Sequence, residues 1–237
     1  MNLSDYREEE KRIRETYKGR DSKQTLYRWW RVNVPYVAFR KEAIWAAALQ
    51  AAGMEEMSDK AVLDVGCGSG EWLRMLTEWG ASPLNLHGID LLPDRIEKAR
   101  AMSPAGLDFQ VSNGWPLPFS DGSMDLCAAS TVFSSILDEQ ARKALAVEMV
   151  RVTRLGGWLM VFDFAVSDPR NPDTLGIRKK EIRRLFPSDE LVKTFRVILA
   201  PPLLRRFPKS LMWLALAIET YMPFLCTHRL YVLRKVR

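Results

Sequence analysis

Apolar residues recur at helical spacing from Tyr36 to Ala52, and Gly53 stands where a helix of that phase would stop. Residues 4–18 read as a polar helix, and residues 20–35 as a connector rich in aromatics, with Tyr27, Trp29 and Trp30. From Ala61 the period changes. AVLDV is a short apolar run that ends in the loop GCGSG, and the helical stretch Glu71–Trp79 follows. NLHGID reads as a second strand, with a helix over Pro93–Met102 behind it; Pro93 suits a first-turn position. LDFQV is a third strand and MDLCAAS a fourth, the latter after the turn Ser120–Ser123. Asp138 is placed to cap a helix running to about Thr153. Gly156 and Gly157 then turn into a fifth strand, WLMVFDF. A helix near Ile177–Phe186, a strand at Lys193–Leu199 and a last strand at His228–Lys235 complete the pattern.

Strands alternating with helices predict an α/β fold, a mostly parallel sheet covered on both faces. The chain has 237 residues, enough for one domain with additions. The organisation expected is an N-terminal helical lid over residues 1–53 and a core over 54–237. A helical insertion, residues 200–227, precedes the last strand.

Charge adds a second layer. The net charge is +6. From Arg178 to the end there are 14 Lys and Arg against four Asp and Glu, a net of +10, which leaves −4 for the rest. A basic C-terminal third suits an anionic substrate, a nucleic acid or a membrane surface, or else a solvated helix face. The three cysteines, Cys67, Cys127 and Cys226, form no CxxC pair. With a charged N-terminus that does not read as a signal, they point to a reducing cytoplasm. The most apolar stretch, Leu211–Cys226, is interrupted by Glu219 and Pro223 and falls short of the roughly 20 apolar residues a spanning helix needs.

The strongest chemical signal is Asp64-Val65-Gly66-Cys67-Gly68-Ser69-Gly70, at the carboxyl end of the first core strand. Such a loop turns tightly and lets backbone approach a ligand. Its spacing is GxGxG, not the GxGxxG of dinucleotide enzymes. Asp90 ends the second strand, where a carboxylate can accept hydrogen bonds from both hydroxyls of a ribose.

These residues resemble the class I S-adenosylmethionine (SAM)-dependent methyltransferases. VLDVGCGSG looks like the family's first motif and GIDLLPDRIEKAR its second. QVSNGWPLPFSDGSMDLCAAS resembles the third and fourth, and RVTRLGGWLMVFDF the fifth strand with its preceding turn. The resemblance implies a Rossmann-like sheet of seven strands, the last antiparallel, with SAM as cofactor and S-adenosylhomocysteine as product. It assigns Asp64, Gly66, Cys67 and Gly68 to the methionine and ribose part of SAM. Asp90 and Leu91 go to the ribose and one adenine edge, Asn113 and Gly114 to the adenine amino group, and Ser130 to the methionine portion. Many members have Asp at the place of Asn113, whose carbonyl still offers an acceptor. Arg40 is a candidate partner for the SAM carboxylate.

A hydroxyl acceptor profits from a base. The candidates are His228 and Asp163, each with a structural role as its alternative; His87 lies inside a strand and reads as structural. No cluster at metal-ligand spacing is visible, so metal-free transfer is expected. No Asp/Asn-Pro-Pro-Tyr motif follows the fourth strand and there is no Pro-Cys pair, which argues against adenine N6, glutamine amide and cytosine C5 chemistry. The order of elements also resembles bacterial methyltransferases of glycan and specialised-metabolite pathways, which implies a small or lipid-linked acceptor rather than nucleic acid. Trp29, Trp30, Tyr36, Trp213, Tyr221 and Phe224 are candidates to line its pocket. The segment 200–227 is expected to cap that pocket, with peripheral membrane contact and a homodimer contact as its other uses. The competing readings are an RNA or protein methyltransferase and a non-catalytic SAM-binding module.

Overall fold

A computed structural model describes residues 6–21, 33–168, 171–204, 207 and 211–237. Its elements, in order, are α1 (Arg7–Asp21), α2 (Asn33–Ala51), β1 (Val62–Val65), α3 (Glu71–Glu78), β2 (Leu86–Asp90), α4 (Pro93–Met102), β3 (Asp108–Val111), β4 (Met124–Ser130), α5 (Glu139–Val152), β5 (Thr153–Phe164), α6 (Lys179–Leu185), β6 (Glu190–Leu199), α7 (Pro201–Leu204), α8 (Met212–Tyr221) and β7 (Cys226–Arg234). The seven strands form one sheet in the order β3-β2-β1-β4-β5-β7-β6. β7 runs antiparallel to both neighbours, and the pairings among β1 to β5 are all parallel. This is the Rossmann-like methyltransferase sheet that the motif order implies. Strand order reverses between β1 and β4, and the crevice outside the carboxyl ends of the strands opens there.

Alternation along the strands sends two sets of side chains into two cores. One layer packs Trp45 and Ala48 of α2, Leu73 and Leu76 of α3 and Ala215 of α8 against Val62, Leu126, Met160, Phe162 and Val232. The other packs Leu145 and Met149 of α5, Ile182 of α6 and Ile13 of α1 against Leu63, Val65, Cys127, Val161 and Tyr231. α5 starts where Asp138 predicts, because its carboxylate accepts the Ala141 N–H at 2.7 Å.

Among the boundaries that differ from expectation, two lie at strand starts in the sheet. β5 begins at Thr153, so the Gly156-Gly157 turn is an irregularity inside a strand, opposite a register shift between Met124 and Leu126. A Cβ on Gly157 would stand 2.9 Å from the Arg154 carbonyl oxygen, so the close passage needs glycine. β6 begins at Glu190 because its pairing with β7 extends past the apolar core of the strand.

The segment after β6 packs sideways. α8 lies against β6 and is tied to α2 by one buried carboxylate. Glu219, 3% exposed, accepts the Tyr36 hydroxyl and two N–H groups of Arg40, from Nε at 2.7 Å and Nη2 at 2.6 Å. Glu219→Ala would strand a half-buried guanidinium and a buried phenol. Because Arg40 keeps some solvent, the expected loss is about 3 kcal/mol of folding stability, the lower end for a broken buried pair. Urea denaturation would show it as a lower midpoint, with Glu219→Gln intermediate. A midpoint unchanged in the alanine variant would mean the latch contributes nothing to the fold.

Candidate active site

β1 ends at Val65 and the chain turns at once. Gly66 has φ +71°, and a Cβ there would overlap Val132 Cγ2, so the loop and the chain leaving β4 are closed to any larger residue. Two backbone N–H groups fix the loop to β2. Cys67 N–H donates to the Ile89 carbonyl at 2.9 Å, and Gly68 N–H donates to Asp90 Oδ2 at 2.9 Å. The other oxygen of Asp90 accepts the Leu92 N–H, also at 2.9 Å. Each oxygen keeps a lone pair for a ligand, and Asp90 faces the cavity. Burial raises its carboxyl above the usual range, against the pull of the Leu92 and Gly68 amides and of Arg95.

That cavity is lined by Gly66, Asp90, Leu91, Asn113, Gly114 and Ser130, six of the residues the motifs singled out. Asn113 Oδ1 accepts the Trp115 N–H at 3.1 Å, which holds the amide at the rim. Ser130 Oγ is buried and has no hydrogen-bond partner within the protein. Asp64 lies just below the loop, 3% exposed, and its Oδ1 also accepts nothing. Burial pushes its carboxyl up to about 7; Lys41 opposes this and Asp90 adds to it. Cys67 contributes backbone only. Its thiol is turned inward beneath the loop, where a Cβ on Gly88 would touch it, and burial raises it far above a reactive range.

Three expectations are corrected by side-chain direction. Arg40 is spent on Glu219 and does not face the cavity. Asp163 points to the α5 face. Its oxygens take the N–H groups of Ser134, at 3.0 Å, and Phe164, at 2.8 Å, so it props the chain after β4 rather than orienting an acceptor. Burial lifts it to about 6 despite those bonds. Trp213, Tyr221 and Phe224 are exposed and line no part of the cavity; Trp29 and Trp30 lie outside the described residues.

His228 falls on the opposite face from Asp163. Ser130 pairs with Phe162, and Phe164 pairs with His228, so Asp64, Ser130, Phe162, Phe164 and His228 share one face of the sheet. The His228 ring lies 5.4 Å from that of Phe162, stacked, and 4.2 Å from that of Phe164. Nδ1 is 3.0 Å from Thr227 Oγ1. Burial, then the charge of Lys41, lowers its pKa to about 4, so the imidazole is neutral at physiological pH. Lys41 reaches over from α2, its Nζ 5.6 Å from the centre of the Phe162 ring.

Within the region expected to form a lid, the residues of the far wall were not foreseen. Ile13 and Tyr17 of α1, one helical turn apart, close the cavity, with Arg95 of α4 set 4.5 Å over the Tyr17 ring. α1 is clamped to the chain after β4: Arg12 donates to the Ser135 carbonyl, Glu9 accepts the Leu137 N–H, and Tyr17 meets Ser135 Oγ at 3.1 Å. Its apolar pair Ile13 and Tyr17, spaced four apart in a polar helix, was the available signal. Thr131, also in the wall, holds φ +58°, a conformation a β-branched residue adopts only under constraint from its surroundings.

With this geometry in view, the comparisons with known proteins converge. A family model for the methyltransferase domain matches residues 62–157. An uncharacterised methyltransferase of Mycolicibacterium gilvum is 38% identical over 107 residues, 44% of this chain and 39% of that protein. A probable tRNA methyltransferase 9B of Homo sapiens is 26% identical over 145 residues, 61% of this chain and 30% of that protein. The chain thus spans less than half the length of these relatives. Among solved structures, geranyl diphosphate C-methyltransferase from Streptomyces coelicolor A3(2), in complex with Mg2+, geranyl diphosphate and S-adenosylhomocysteine, superposes with a TM-score of 0.60 at 16% identity, covering 82% of this chain and 77% of that one; such identity speaks to fold. Residues 62–157 form a methyltransferase domain of the class I type, and the cofactor of that class is SAM.

The site fits this cofactor on its own terms. Asp64 Oδ1 and Ser130 Oγ are buried acceptors left open, and a buried carboxylate held near pH 7 calls for a cation such as an amino-acid ammonium. An ammonium at Oδ1 would favour the ionised form, so binding would release a proton. SAM affinity is therefore expected to climb as pH rises toward about 7, by up to roughly tenfold per unit, and to level off above it. Calorimetry in buffers of different ionisation enthalpy reads the proton directly, and Asp64→Asn should abolish both release and pH dependence. Proton-neutral binding by the unaltered protein would take Asp64 away from the ammonium.

Proposed function

We propose that the domain transfers the SAM methyl to a hydroxyl oxygen of a small or lipid-linked acceptor, with His228 as the group that takes the hydroxyl proton. The observation that carries this is the surroundings of His228: a neutral imidazole, 7% exposed, on the same sheet face as Asp64 and Ser130, walled by Phe162 and Phe164 with Lys41 above. An imidazole this buried suits a slender acceptor better than a polymer.

SAM, when bound, supplies a methyl group already activated by a positively charged sulfur. The chain's residues do the rest. Asp64, Gly66, Asp90, Leu91, Asn113, Gly114 and Ser130 hold and orient the cofactor, and α1 closes over it and excludes water. Phe162 and Phe164 support an apolar acceptor. His228 uses the ring nitrogen not facing Thr227 to accept the proton. In taking it, His228 restores the positive charge that the site loses on transfer. Lys41 suits an anionic group on either reactant.

The relatives named as tRNA methyltransferases, together with the basic C-terminal third, favour RNA as a second reading. One experiment separates the two. The protein is incubated with methyl-labelled SAM and, in parallel, total RNA, a lipid extract and a library of hydroxylated small molecules. Label is expected in an ether-linked methyl of a lipid or small molecule. Label in RNA, lost steeply as salt is raised because phosphate contacts release counterions, would overturn the reading.

A further inference from the structure

We infer that the outward face of α8 and the turn after it form a docking surface for an anionic phospholipid membrane. α8 is apolar on both sides. Its inner face, with Ala215 and Glu219, is buried against the core and α2. Its outer face carries Trp213, Ala217 and Tyr221, spaced four apart and so stacked in one stripe, with the small Ala217 between the two rings. Trp213 is 63% exposed, Tyr221 84%, and Phe224, just beyond the helix, 68%. Between Leu211 and Leu225 the only charged residue is Glu219, and it is spent inside on Arg40 and Tyr36. A surface helix ordinarily turns charge to water; this one turns a tryptophan and a tyrosine.

The occupant follows from charge and residue type. From Pro201 to Leu225 the sequence carries three bases against the single acid Glu219, and those bases, Arg205, Arg206 and Lys209, immediately precede the helix in sequence. Lys193 is exposed on β6, the strand that α8 packs against, and shares a face of that strand with Phe195 and Val197. Two copies of so basic a region repel one another, whereas an anionic lipid surface attracts it. Tryptophan and tyrosine favour the headgroup zone, where an apolar ring is buried and a polar edge stays wet. Among the described residues no helix is long and apolar enough to cross a membrane. The contact is therefore peripheral, with α8 lying in the interface plane.

Vesicle flotation of the full chain tests this without turnover, so the outcome is separate from the proposed reaction. Binding is expected to vesicles of phosphatidylcholine and phosphatidylglycerol in equal parts, and not to phosphatidylcholine alone. The triple variant Trp213→Ser, Tyr221→Ser, Phe224→Ser should lower the vesicle-bound to free ratio by about tenfold or more. Its SAM affinity by calorimetry should match the unaltered protein, since none of the three lines the cavity. No binding to the anionic vesicles, equal binding to both kinds, or binding unchanged in the variant would each overturn the proposal. So would a dimer in sedimentation equilibrium that the same substitutions dissolve, with no vesicle binding, which would assign the stripe to a second copy.

Discussion

Asp90→Ala is expected to weaken SAM binding by about 3 kcal/mol or more, roughly a hundredfold or more in Kd. Two hydrogen bonds from a ribose to a charged acceptor are lost at once. The structure adds a second cost, because the same carboxylate holds Gly68 N–H and Leu92 N–H, each at 2.9 Å. Removing it frees the glycine loop from β2, so the alanine variant loses preorganisation as well as contacts. Asp90→Asn separates the two effects. The amide keeps one acceptor oxygen, so it retains part of the loop geometry but cannot serve both backbone donors and both hydroxyls. Calorimetry on folded protein should place its affinity between the other two. An unchanged Kd in the alanine variant would remove Asp90 from the ribose.

His228→Gln is expected to lower kcat by about a hundredfold or more, within the range for loss of a general base. SAM affinity should hold, because His228 lies beyond Ser130 and outside the cofactor cavity. Glutamine preserves much of the volume between Phe162 and Phe164 but has no nitrogen able to take a proton. The pH profile carries further information. Burial depresses the folded pKa to about 4, so the proton-accepting form is present above that value and is lost only as pH falls through it. The rate should therefore show no inflection from this group between about pH 5 and 8. A variant that keeps full kcat with the acceptor fraction would return His228 to a packing role.

The sheet and the cofactor loop can be read from the chain alone. Short apolar runs alternating with helical periods dictate a parallel sheet, and a strand that ends in GCGSG leaves its loop at the carboxyl edge. Those are local facts, set by period and by the lack of a Cβ, so they survive without knowledge of any neighbour. Asp90 was legible for the same reason, since it ends a strand, whereas Asn113 and Ser130 were singled out through the resemblance of their motifs.

Folding decides which way side chains point and what already holds them. Asp163 and His228 both stand at strand ends on the cofactor side. Pairing of Phe164 with His228 puts the histidine on the α2 face, and alternation sends Asp163 to the other, where backbone amides consume it. Arg40 was a plausible carboxylate binder until Glu219, 179 positions away in sequence, took it. The tryptophan of α8 looks like pocket lining in one dimension and faces outward in three. α1 reads only as a polar helix of the lid, because the contacts that fix it, Arg12 to Ser135 and Tyr17 to Ser135, span more than a hundred residues. Long-range pairing of this kind leaves no periodicity in the chain, so its partners become visible only when the sheet brings them together.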